Sequence, residues 1–68
     1  MKTQFNLKNP INGDETVMCF EKEFNLSKKD YIYLKEDYWY VINITHDLDN
    51  SLIKIDCVHT SYGTTFLI

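Results

Sequence analysis

The chain has no arginine and no alanine, one proline, two glycines and two cysteines in 68 residues. Each scarcity excludes something. Without arginine there is no bidentate fork for phosphate or guanine. The formal charge of −3 and pI near 5.1 also lack the basic footprint of nucleic-acid binding. Gly13 and Gly63 are too few and too far apart for a phosphate-cradling loop. No apolar stretch approaches the about 20 residues of a membrane span, and the start does not resemble a basic, apolar signal peptide. A cytoplasmic protein is the expectation, with Cys19 and Cys57 as free thiols in separate strands.

Aromatic and aliphatic residues are plentiful. Hydrophobic residues make up 44% and aromatics 15%, enough for a folded core. A chain of this length forms one domain, residues 1–68, and buries only roughly 60% of its unfolded surface. Association with a partner or a second copy is one remedy for that thin margin. Phe, Tyr, Met, Ile, Asn and Lys fill 31 positions whereas Gly, Ala, Arg and Pro fill 3, the bias of an AT-rich genome. A low-GC bacterium or its phage is the expected source.

Residues 38–59 alternate almost without interruption around Asp49-Asn50. Tyr40, Ile42 and Ile44 share one side of the first arm, and Ile53, Ile55 and Cys57 share the matching side of the second. A period of two over both arms predicts a half-buried antiparallel hairpin. Residues 3–8 alternate too, and Asn12-Gly13 is the favoured pair of a type I′ turn. That turn would set Leu7 opposite Met18, Phe5 opposite Phe20 and Gln4 opposite Glu21, making residues 3–24 a first hairpin with Pro10 at its end.

Ser27-Lys28-Lys29-Asp30 has the S-x-x-D spacing of a helix start, but the aromatic and β-branched run from Tyr31 favours strand. We expect a loop or one helical turn, a strand over residues 31–35, a Glu36-Asp37 reversal, and a final strand over residues 64–68 after a turn at residues 61–63. The predicted fold is an all-β antiparallel meander of five to six short strands with little helix. Open edges invite aggregation, so closure into an SH3-like or OB-like small barrel is expected.

The Glu36-Asp37 reversal places Tyr31 and Tyr33 with Tyr40, Ile42 and Ile44 on the predicted core face. The other face carries Ile32, Leu34, Trp39, Val41, Leu52 and Val58, apolar toward the Trp39 end. Either the first hairpin covers that end, or it is a patch for a partner, since Trp is a favoured contact residue. Trp39, Leu34, Val41, Val58 and Tyr38 are therefore the candidate partner-binding residues. Glu21 and Glu23 join them from an acidic run with Glu15 that suits a basic partner.

Chemistry is sparse. His46 and His59 lack the close ligand pairing of zinc sites, so no metal is expected. The stretch from Asp47 to Ser51 starts like a calcium loop, but Leu52 replaces the required glycine and Val58 the terminal glutamate. Cys57 and His59 share a strand face about 7 Å apart, beyond a direct hydrogen bond. No catalytic residue and no cofactor is expected, hence no enzyme. The leading expectation is a small protein that binds a protein partner, such as a nucleic-acid-handling enzyme, and inhibits or adapts it, as a phage-encoded inhibitor would. A self-assembling structural subunit pairing through residues 64–68 is the alternative. A single-stranded nucleic-acid binder that stacks bases on Tyr31, Tyr33, Tyr38, Trp39 and Tyr40 is a weaker one.

Overall fold

The computed structural model describes residues 1–60. The five elements over residues 1–59 are all strands: β1 Lys2–Asn9, β2 Asp14–Phe20, β3 Tyr31–Leu34, β4 Asp37–Asp47 and β5 Leu52–His59. They form one sheet in the order β2-β1-β5-β4-β3, curled into a half-barrel. The all-β class and the barrel-like curl are as expected. The purely antiparallel meander is not, because β1 and β5 run parallel at the centre and β2 does not adjoin β3. The predicted turn at residues 61–63 and strand over residues 64–68 lie outside the described residues. Among the described residues, no helix is long and apolar enough to cross a membrane.

The parallel pair builds the core. Thr3, Phe5 and Leu7 stand beside Ile53, Ile55 and Cys57 in register, all six buried on the inner face. Two apolar stripes of period two, laid side by side, make one continuous apolar surface. Thr3 carries the only buried polar side chain among the described residues, and its hydroxyl donates to the Lys22 carbonyl at 2.7 Å. That bond satisfies the hydroxyl and ties residues 21–26 across the end of the sheet. Phe24 and Leu26 then pack onto the core.

The first hairpin forms two residues out of the predicted register. Phe5 opposes Met18, Leu7 opposes Thr16 and Thr3 opposes Phe20. The connection is the four residues Pro10 to Gly13, with Gly13 at φ +80° and its N–H on the Asn9 carbonyl at 2.8 Å. Asn9 and Asn12 side chains accept the Ile11 and Asp14 N–H groups. These local acceptors, together with a proline that cannot donate to a ladder, favour the wider loop. A shift of two preserves the faces.

Residues 27–30 keep half of a helix start. The Asp30 carboxylate accepts the Ser27 N–H at 2.8 Å, as the acid of a capping box does. Lys29 then turns left-handed at φ 75°, and the chain enters β3 instead of a helix.

The larger correction concerns β4. Near its tip the predicted register holds: Asp47 opposes Leu52 and Ile44 opposes Ile55. Between Val41 and Asn43 the ladder is interrupted by a β-bulge, with Ile42 the extra residue. A bulge puts two residues against one and reverses the parity of everything beyond it. Trp39 and Val41 therefore point into the core, 8% and 0% exposed. Tyr31 and Tyr33, expected with the core face, are on the outer face together with Tyr38. The reversal comes one residue earlier than the expected Glu36-Asp37 turn. Lys35 and Glu36 form it, at φ 55° and 60°, and Leu34 opposes Asp37.

Candidate functional site

Positive φ at both turn positions is the signature of a type I′ hairpin, whose twist suits the flanking strands. It joins β3 to β4 so that Tyr31 opposes Tyr40 and Tyr33 opposes Tyr38. The paired rings are 5.2 and 4.8 Å apart, centroid to centroid. Tyr40 is buried beside Val58, its β5 neighbour, whereas Tyr31, Tyr33 and Tyr38 are 49%, 62% and 58% exposed. The result is an aromatic ladder on the outer surface, open at three of its four rings. Cross-strand aromatic pairs limit each other's rotamers, so the exposed rings form a stiff surface.

The inner side anchors this hairpin. Ile32 and Leu34 pack on the core, and the Trp39 Nε1–H donates to the Leu34 carbonyl at 2.7 Å. The Trp39 ring meets the His59 imidazole edge-on at 5.5 Å. His59 Nε2 lies 2.6 Å from Asp37 Oδ2. An ionised carboxylate can only accept, so Nε2 carries the proton. This bond, followed by the Tyr38 N–H, holds the Asp37 carboxyl below its usual value. Residues 34–39 are thus closed on themselves by the Trp39–Leu34 bond and held to the end of β5 by two contacts with His59.

A second feature opens on the inner side. Phe5, Phe20 and Phe24 meet edge to face at 5.5–5.6 Å. With Leu26, Ile32 and Leu34 they line an apolar cleft of about 370 Å³, and Lys22 lies over the Phe24 ring at its rim. The cleft is the open side of the half-barrel.

The candidate residues named from sequence divide between the two faces. Trp39, Val41 and Leu34 belong to the inner face, where Trp39 and Val41 are core residues. Val58 is buried on the outer face, Tyr38 is exposed there, and Glu21 and Glu23 lie exposed beyond the end of β2. They do not form one patch. Tyr31 and Tyr33 were missed as surface residues. One signal points the other way: with Tyr on one side of a strand and Ile and Leu on the other, burying the tyrosines would also bury hydroxyls in need of partners.

His46 is exposed near the β4 tip. Asp47 binds the Asn50 amide at 2.9 Å, which holds its carboxyl below the usual range. Among the described residues, no group of three His, Cys, Asp or Glu could hold a metal ion. Burial pushes the Cys57 thiol up to about 12, so it is a protonated core residue and not a thiolate partner for His59. Cys19 is exposed and unbridged.

No family model matches the sequence, and neither the curated proteins nor the solved structures compared with it contain a match.

Proposed function

We propose that this chain is a non-catalytic protein that binds a protein partner through the outer face of the β3–β4 hairpin and thereby inhibits or adapts it. The observation that supports the reading is the tyrosine ladder, with Tyr31, Tyr33 and Tyr38 each about half exposed or more. Tyrosine is enriched at interfaces because it contributes a large apolar ring, a hydrogen-bonding hydroxyl and little entropy to lose. Ile42, also exposed, lies on the same strand and extends the apolar surface. The acidic balance fits a basic partner such as a nucleic-acid-handling enzyme. The AT-rich residue usage favours a low-GC phage inhibitor acting in the cytoplasm. A doubly substituted Tyr33→Ser, Tyr38→Ser protein should keep its fold and lose the stoichiometric partner that wild type recovers from host lysate. Equal recovery by both proteins would defeat the reading.

The same ladder favours a second reading, base stacking on single-stranded nucleic acid. Anisotropy of a labelled oligonucleotide at low salt separates the two. Salt-sensitive binding lost in the tyrosine variant would favour stacking over a protein partner.

A further inference from the structure

Among the described residues β2 is an edge strand, and beyond the acids at its start it has few of the usual guards. Its seven residues, Asp14–Phe20, include no proline and no lysine, and its ladder with β1 has no bulge. Natural edges are blunted by such devices or by being short, as the four-residue β3 is. Val17 is 60% exposed at the centre of β2, and Glu15 and Cys19 on either side are exposed too.

The direction of the free backbone groups follows from two hydrogen bonds. The Asn9 carbonyl accepts from Gly13, so the peptide groups of Asn9, and by alternation those of Leu7, Phe5 and Thr3, point toward β2. The Lys2 N–H donates to the Ser51 carbonyl, so the even-numbered residues of β1 point toward β5, in agreement. With Asn9 opposite Asp14 and Leu7 opposite Thr16, the even residues of β2 are bonded to β1. Glu15, Val17 and Cys19 therefore present three N–H and three C=O groups to the outside.

We propose that β2 pairs antiparallel with β2 of a second copy of this chain, on a two-fold axis at Val17. In this register Val17 meets its own copy and Glu15 meets Cys19 of the second copy, twice, so that all six outward groups are bonded. Shifting by two residues in either direction leaves some unpaired. Centring the pair on Glu15 would also set two acids face to face. Centred on Val17, no two like charges are opposed: Thr16 meets Met18 and Asp14 meets Phe20. The two half-barrels become one continuous sheet. The tyrosine ladders, on the opposite edge of each sheet, stay free, so a dimer would present two of them.

Sedimentation at high protein concentration should give twice the chain mass. Val17→Pro removes an outward N–H that β1 does not use, so it should give a monomer whose circular dichroism remains that of the wild type. Register is tested by oxidation. Glu15→Cys places a thiol opposite Cys19 of the second copy, at about 5.5 Å between Cα atoms, within disulfide range. This variant should form a reducible covalent dimer. Wild type should not, because its two Cys19 residues would be four positions out of register, about 13 Å along the strand. Glu15→Cys combined with Cys19→Ser should not form one either. A wild-type monomer at every concentration, or equal cross-linking with and without Cys19, overturns the proposal. If Val17→Pro unfolds, the oxidation experiment decides alone.

Discussion

Asp37 Oδ2 accepts a hydrogen bond from His59 Nε2 at 2.6 Å, joining the start of β4 to the end of β5 on the inner face. The pair sits beneath the tyrosine hairpin and against the Trp39 ring, so it supports the hairpin without belonging to its exposed surface. Its contribution depends on pH in a definite direction. The folded-state value of Asp37 lies below that of an ordinary aspartate, so folding favours the ionised form. The stabilisation is present above the unfolded-state value and is lost as pH falls through it toward the folded-state value. Thermal unfolding of wild type and Asp37→Asn should differ above pH about 5 and converge in acid. A difference that does not change with pH would remove the pair's ionic role.

Trp39 and Tyr38 are neighbours with opposite roles. Trp39→Ala empties a core position and orphans its bond to Leu34, so it should cost about 3–5 kcal/mol, much of a small domain's stability. Tyr33→Ser or Tyr38→Ser loses only a cross-strand contact at the surface, at most about 1 kcal/mol. Melting curves of the three variants test the assignment of faces directly. A mild Trp39→Ala, or a severe Tyr38→Ser, would reverse it.

The β3–β4 turn stores strain. Lys35 and Glu36 both take left-handed φ, a conformation that costs a side chain roughly 1–2 kcal/mol and glycine almost nothing. Replacing the pair with Asn-Gly, the preferred type I′ sequence, should raise the melting temperature by several degrees. The tyrosine ladder should be left in place. An unchanged or lowered melting temperature would count against the strain.

Much of this was legible from residue alternation, and the failures have local causes. The β4–β5 tip register follows from Asp49-Asn50 and is correct. The inward stripe Phe5, Leu7, Ile53, Ile55 and Cys57 also reads directly from period two. The pairing of β1 with β5 does not, because strands some fifty residues apart leave no turn between them to announce the contact. The tyrosine ladder was legible as an aromatic cluster but was placed on the wrong side. Alternation was carried through Ile42 as though the strand were regular, and neither glycine nor proline marks that position as a bulge.

The bulge leads to an unusual expectation for deletions. Val41 opposes Cys57 and Asn43 opposes Asp56, so Ile42 is the one residue of that stretch without a partner position. Its side chain is 42% exposed. Deleting it joins Val41 to Asn43, lets the ladder run on regularly, and leaves Trp39 and Val41 facing inward. The deletion variant should fold cooperatively, losing some of the strong twist that a bulge confers. Deleting Tyr40 instead keeps the bulge and slides Trp39 to the position opposite Val58, on the outer face. That change exposes the largest core side chain and should abolish the cooperative transition. Thermal unfolding of the two deletions, with near-ultraviolet circular dichroism reporting on Trp39, separates them. If deletion of Ile42 proves as damaging as deletion of Tyr40, the extra residue of β4 is not Ile42, and the parity argument for an outward tyrosine face loses its basis.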